Sequence, residues 1–304
     1  MPPSPASLDF GKVFTLSFAI YKEKIKSFIP VGIIVMAVTF VITAITAVVS
    51  IFWISTGAVN DLDALLGAGF LWFVIVLTGV ISLVSLTASW WAGLVCCALT
   101  DAHLLGEEIT IRQATKNTAK SLVSLLPVGA GVVLVIMGVF ALFSAWMISI
   151  IVSMDGPPDV IPLIIVQMAG FFLGFFLLVV LAMIASYFLN VKWFVAFPVM
   201  VSEQTTIIKG WKRSWAITKT AGGWILLIII LVGMAMGFVM SIPMIPTAFI
   251  SFTGEQLGAA GAIVPSIVSY LITWAVLILV MPVMPIISQV VYRERLQRTP
   301  SLQV

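Results

Sequence analysis

Residues 205–226 read Thr-Thr-Ile-Ile-Lys-Gly-Trp-Lys-Arg-Ser-Trp-Ala-Ile-Thr-Lys-Thr-Ala-Gly-Gly-Trp-Ile-Leu. Ile207, Ile208, Trp211 and Trp215 gather on one side of a helical wheel, and Lys209, Lys212, Arg213 and Lys219 on the other. That spacing predicts an amphipathic helix, and a short basic one belongs in a membrane interface. Past Gly222-Gly223 the sequence turns continuously apolar. The same transition, in looser form, occurs near residues 10 and 111.

The whole chain is divided in this way. Of its 304 residues 62% are hydrophobic and 9% charged, with a mean hydropathy of +1.22, whereas a soluble domain carries about 25% charged residues. A surface this apolar cannot face water, so the bilayer is its solvent. Six intervals, 27–60, 64–100, 121–154, 160–191, 220–254 and 256–292, hold no Asp, Glu, Lys or Arg, and each is 32 to 37 residues long. A spanning helix takes roughly 20 apolar residues, so each interval accommodates one span and is short for two. The expectation is an all-α integral membrane protein with six transmembrane helices. The surplus length goes into tilt, kinks or helix ends beyond the headgroups.

Charge sign orients the spans. Lys12, Lys22, Lys24 and Lys26, then Arg112, Lys116 and Lys120, then Lys192, Lys209, Lys212, Arg213 and Lys219, then Arg293, Arg295 and Arg298 account for all 15 basic residues. They occupy the N-terminal region, the second and fourth connections and the C-terminal region, which share one side of a six-span protein. The other connections, near 55–68, 153–161 and 251–262, carry Asp61, Asp63, Asp155, Asp159 and Glu255 without a base. The positive-inside rule then makes both termini cytoplasmic. Met-Pro-Pro-Ser-Pro-Ala-Ser at the start has neither a basic n-region nor an apolar h-region, so no cleaved signal is expected. Residues 1–7 and 299–304 are expected to be disordered tails.

An internal period underlies the recurrence. Phe10, Val13, Phe14, Phe18, Tyr21 and Ile25 form an apolar face away from Lys12, Lys22 and Lys26, and Ser27-Phe28-Ile29-Pro30-Val31-Gly32 is expected to turn the chain into the first span. Ser124-Leu125-Leu126-Pro127-Val128-Gly129 repeats that entry 97 residues later, after a weaker amphipathic segment from Ile111 to Lys120 with Thr110 as its expected N-cap. A further step of 97 puts Arg112 on Lys209 and Lys116 on Arg213, with Gly222-Gly223 in place of the proline turn. The chain is therefore read as a single membrane domain, 1–304, of three tandem units at approximately 8–105, 106–202 and 203–298. Each is an interfacial amphipathic helix followed by a transmembrane hairpin. Units that cross twice share an orientation, so an axis along the membrane normal can relate them, and a pseudo-threefold ring of six helices is the expected packing. Pro243, Pro246, Pro282 and Pro285 are expected kinks. Gly170-x-x-x-Gly174 and Gly233-x-x-x-Gly237 are expected to bring helices of the chain close together.

Three short stretches carry a resemblance: Lys192-Trp193-Phe194-Val195-Ala196-Phe197-Pro198-Val199-Met200-Val201, Lys212-Arg213-Ser214-Trp215-Ala216-Ile217-Thr218 and Tyr292-Arg293-Glu294-Arg295. Over about 8–298 the chain resembles a widespread prokaryotic membrane domain, that of YciC-like inner-membrane proteins, which is also attached to some glycerophosphoryl diester phosphodiesterases. The resemblance implies a multi-span, non-catalytic domain in the prokaryotic cytoplasmic (inner) membrane and brings no site residues. Those diesterases use a separate soluble barrel with metal-binding His and Glu residues. This chain has one histidine, so their activity is not expected here.

Little else in the sequence points to chemistry. Cys96 and His103 could share a helix face near Asp101, but one thiol, one imidazole and one carboxylate make a thin metal site. Adjacent Cys96 and Cys97 read as small core residues. The acids of the outer connections have no base to work with and read as solvated loop residues rather than an acid–base pair. No span has an ionisable residue near its middle, which disfavours ion-coupled transport, and Lys192 is placed at the cytoplasmic edge. No enzyme activity, cofactor, metal or nucleic-acid partner is expected. The candidate functional residues are Lys12, Lys22, Lys26, Arg112, Lys116, Lys120, Lys209, Lys212, Arg213 and Lys219. They would bind lipid headgroups, anionic ones included, or a membrane or cytoplasmic protein partner. The leading expectation is a non-enzymatic membrane protein that organises lipid or a partner complex at the cytoplasmic leaflet. The alternative is a transporter or lipid-handling channel along the pseudo-threefold axis.

Overall fold

The computed structural model describes residues 9–55, 68–154, 161–243, 245 and 268–298. Every regular element among them is a helix: α1 (Phe10–Ser55), α2 (Ala68–Leu104), α3 (Ile111–Met154), α4 (Ile161–Trp193), α5 (Ala196–Ser202), α6 (Ile207–Thr218), α7 (Gly222–Ser241), α8 (268–280) and α9 (Val283–Arg298). The expected tails, Pro246 and the connections with Asp61, Asp63, Asp155, Asp159 and Glu255 lie outside the described residues. Five helical stretches are long and apolar enough to cross a membrane: Phe10–Val49, Val76–Leu104, Ile111–Val139, Gly222–Ser241 and Val268–Arg298. The chain is a multi-pass integral membrane protein. The remaining expected span falls on α4, helical over 33 residues; the apolar stretches described there, Phe172–Leu181 within α4 and Phe188–Ser202 from its end through α5, are shorter.

The first two amphipathic segments are not separate helices. α1 runs unbroken through Pro30 for 46 residues, and α3 through Pro127 for 44. Proline removes one helical hydrogen bond, but Phe28 and Val31 beside Pro30 and Leu125 near Pro127 are buried, so side-chain packing on both flanks holds the helix through the defect. At about 1.5 Å per residue, α1 extends about 70 Å, more than twice a hydrocarbon core of about 30 Å. Only the third copy breaks. Lys219 and Ala221 donate backwards by three residues, to Ala216 O at 3.4 Å and Thr218 O at 3.3 Å, and Gly222-Gly223 then starts α7. Glycine is a poor helix former, so the chain changes course there and not at the prolines.

Helix ends elsewhere follow their local chemistry. Thr110 caps α3 as expected: its Oγ1 accepts from Gln113 N at 3.3 Å, and Gln113 Oε1 accepts from Thr110 N at 2.8 Å, a reciprocal capping box. Asp9 Oδ1 accepts from Lys12 N at 3.0 Å at the start of α1. Gly106, at φ 76°, closes α2, with Glu107 N donating to Ala102 O at 2.8 Å. Pro282 separates α8 from α9, and α7 ends just before Pro243.

The residues fall into two compact units. One draws on Met1–Ala37, Ser89–Ser124 and Asn190–Val304. Its core contains Val13, Ile20 and Phe28 of α1, Leu94 to Cys97 of α2, Val199 and Met200 of α5, Ile217 of α6, Ile225 and Ile228 of α7, and Ile286 and Val291 of α9. Ser121 of α3 donates to Thr205 O at 3.2 Å, and Ser124 Oγ accepts from Ile207 N at 3.1 Å. The serine of the repeated Ser-x-x-Pro-Val-Gly sequence thereby satisfies an otherwise open N–H at the start of α6.

The other unit, Val38–Ala88 and Leu125–Leu189, turns large apolar side chains outward: Leu134, Val135, Leu142 and Leu181 are all exposed. Three of its threonine hydroxyls are satisfied within their own helices. Thr43, Thr46 and Thr87 each donate to the carbonyl four residues back, as hydrocarbon surroundings demand.

Small residues bring helices together, though not at the expected glycines. A Cβ on Gly170, Gly174, Gly233 or Gly237 would meet no described atom within 4 Å. Close approaches occur instead at other glycines, among them Gly32, where a Cβ would lie 3.0 Å from Ile278 O, and Gly93, 2.8 Å from Phe197 Cε2. Gly32→Leu is therefore expected to destabilise the protein by about 1–3 kcal/mol, and Gly233→Leu to leave it unchanged. Melting curves of the two variants in detergent check this pair.

Candidate functional site

α6 buries Ile207, Gly210, Ser214, Ile217 and Thr218 and leaves Ile208 and Trp215 exposed. The side that faces protein thus combines Ile207 and Ile217 with small and polar residues, and the exposed Ile208 and Trp215 belong to the apolar face that the wheel gives an interfacial helix. Lipid tails are as apolar as leucine, so Ile208 and Trp215 gain little by turning inward, and the closest approach to the neighbouring helices is made through small residues. Gly210 permits this: a Cβ there would be 2.6 Å from Met200 Cγ. Ser214 Oγ donates to Lys192 O at 2.7 Å. Trp211 stacks on Trp193 with centroids 4.5 Å apart, and Lys192 Nζ lies 5.3 Å over the Trp215 ring.

The opposite end of α6 is held from α9. Arg295 is only 1% exposed; its Nη2 donates to Thr220 Oγ1 at 2.7 Å and to Ile217 O at 3.4 Å. A cation suits the carbonyl-rich end of a helix. Tyr292 OH donates to Glu203 Oε1 at 3.1 Å, and Arg213 Nε donates to the same oxygen at 3.1 Å. Residues 192–201, 212–218 and 292–295, the three stretches that carry the resemblance, therefore belong to one connected set of contacts.

α9 also reaches the ends of α1, α2 and α5. Arg293 Nη2 is 2.6 Å from Asp101 Oδ1. Gln289 Nε2 donates to the same Asp101 oxygen and, at 3.0 Å, to Ser202 Oγ. Glu294 lies between Lys12 Nζ at 2.8 Å and Arg298 Nη2 at 2.6 Å. Asp101, Glu203 and Glu294 are thus each neutralised by a base brought from another part of the sequence or from the next turn. Outside this cluster, Lys24 Nζ sits 2.9 Å from Glu108 Oε1, and the ammonium holds the Glu108 carboxyl below its usual range.

The thin metal constellation is not brought together. Asp101 faces Arg293, His103 Nε2 lies 3.6 Å from Glu23 Oε2, and Cys96 is buried. Among the described residues no group of three or more His, Cys, Asp or Glu could hold a metal. The ten candidate basic residues divide into two sets. Lys12 pairs with Glu294 and Arg213 with Glu203. Lys22, Lys26, Arg112, Lys116, Lys120, Lys209, Lys212 and Lys219 are exposed and form no ion pair among the described residues.

No family model, no curated protein and no solved structure matches the chain.

Asp101, Ser202, Glu203, Gln289, Tyr292 and Glu294 belong to the cluster without having been among the expected site residues. A signal for them existed. Asp101, Glu203 and Glu294 are acids on the basic side of the membrane plan, one near each unit's end, where a paired role is the economical explanation. Arg293→Met is expected to leave Asp101 uncompensated and to destabilise the protein by about 3 kcal/mol, the low end for a buried pair because Arg293 keeps some exposure. Adding Asp101→Leu should restore much of that loss. A double-mutant comparison of melting temperatures in detergent measures both.

Proposed function

We propose that this protein is a non-enzymatic component of a prokaryotic cytoplasmic membrane that organises anionic lipid, or a complex built on it, at the cytoplasmic leaflet. In this reading α4 supplies the sixth span, both termini are cytoplasmic, and three tandem units repeat an amphipathic segment and a hairpin. The resemblance to YciC-like membrane domains belongs to the same proposal and rests on the three short stretches quoted above.

The observation that carries the reading is the division of the charges. Four acids on the basic side, Asp101, Glu108, Glu203 and Glu294, are paired with lysine or arginine, while eight exposed lysines and arginines of α1, α3, α6 and the turn after α6 form no ion pair among the described residues. Uncompensated bases beside apolar helices suit phosphate headgroups, and each contributes about 1 kcal/mol near an anionic surface. Exposed Ile208 and Trp215 on α6 add the apolar side that an interfacial helix inserts.

The triple variant Lys209→Gln, Lys212→Gln, Lys219→Gln keeps the Arg213–Glu203 pair and removes three of these charges. Mass spectrometry of lipid retained through purification should show anionic lipid reduced at least fivefold relative to zwitterionic lipid, since about 1 kcal/mol is already about fivefold in affinity. An unchanged ratio rejects the headgroup reading.

A further inference from the structure

Ser17 departs from the behaviour of the other helical hydroxyls. Thr43, Thr46, Thr87, Thr100, Thr118 and Thr273 each donate to the carbonyl four residues back. Ser17 is 6% exposed, and among the described residues its Oγ has no hydrogen-bond partner. A buried hydroxyl left without a partner is costly, so its persistence asks for an acceptor that the described residues do not supply.

Ser17 lines a pocket of about 370 Å³ among α1, α7, α8 and α9, all within the first unit. The walls are apolar: Phe14, Val232, Met236, Val280 and Ile287 among others. Tyr21, the other polar residue of the lining, has its hydroxyl engaged with Leu279 O at 2.9 Å. Phe18, Leu231 and Leu279 also line the pocket and are 68%, 46% and 42% exposed, so it opens to whatever surrounds these helices. α7 and the α8–α9 stretch are among those apolar enough to cross a membrane, and what surrounds them is hydrocarbon. Volumes of this order, apolar apart from a few polar atoms, suit a small ligand or part of a larger one.

We propose that this pocket holds one acyl chain of a bilayer phospholipid, with an ester carbonyl oxygen accepting the Ser17 hydroxyl proton. The lining contains no Lys, Arg or His, so a free carboxylate would enter unpaired, whereas an ester needs one donor. A water-soluble ligand would find one polar partner in an apolar wall reached through lipid. The proposal deepens the lipid reading above but uses none of its charges.

The test uses the full chain in phosphatidylcholine nanodiscs doped with a phosphatidylcholine carrying a diazirine near the ester end of one chain. After irradiation, adducts on peptides containing Phe14–Tyr21 and Leu231–Val239 are compared with those on the exposed Leu134–Leu142 segment. The pocket peptides should exceed the control severalfold. Ser17→Ala, a small change that preserves the helix, should lower the excess about threefold or more, the value of one hydrogen bond. Ala235→Trp, which fills the pocket, should abolish it. Labelling of the pocket no greater than the control, or an excess untouched by Ser17→Ala, overturns the proposal, and the second result stands even if Ala235→Trp does not fold. Because the probe is zwitterionic, its outcome is independent of anionic-lipid retention in the lysine variant.

Discussion

Asp101 accepts from both Arg293 and Gln289, joining the end of α2 to a helix about 190 residues further along the chain. Hydrocarbon gives little reason for apolar helices to choose one another. A carboxylate with little access to water, by contrast, tolerates few arrangements, because an unpaired charge in such surroundings is expensive. The pair therefore fixes which face of α9 meets α2. The remaining contacts of α9 follow from its helical spacing: Tyr292 toward Glu203, Glu294 toward Lys12, and Arg295 into the carbonyl end of α6. Such a network contributes orientation more than stability.

α6 shows what this orientation does. Its small face is seated on α4 and α5 by Gly210 and Ser214, and its C-terminal end by Arg295. Ile208, Lys209, Lys212 and Trp215 are left facing outward. A helix held by its small residues presents large apolar and basic ones together, the composition that an anionic membrane surface recognises. α1 and α3 present Lys22, Lys26, Arg112, Lys116 and Lys120 from helices that run on without a break into apolar segments.

Much of this was legible in the sequence. Charge-free intervals located the apolar helices, and Thr110 was recognisable as a cap because Gln113 stands three residues after it. Continuity through Pro30 and Pro127 was not, because the packing of Phe28, Val31 and Leu125 that offsets a missing N–H is a tertiary effect. The wheel of α6 displayed its apolar and basic sides, but the residues that seat it on the protein were not legible, because Gly210 and Ser214 act through a close approach and one hydrogen bond. The pairing of Asp101 with Arg293 spans most of the chain, and no local spacing encodes it. Ser17 could not be distinguished in sequence from a serine that bonds its own helix.

The central claim is that the exposed bases lie together on the cytoplasmic side of a six-span protein, and thiol accessibility tests it most directly. In a Cys96→Ala, Cys97→Ala background, single cysteines replace Lys22, Lys116, Lys212, Asp61 or Asp159. A membrane-impermeant maleimide is then applied to sealed right-side-out and inverted vesicles. The account predicts that positions 22, 116 and 212 react only in inverted vesicles, and that 61 and 159 react only in right-side-out ones. Reaction of any of the first three from the outside, or of position 159 from the cytoplasmic side, would contradict it.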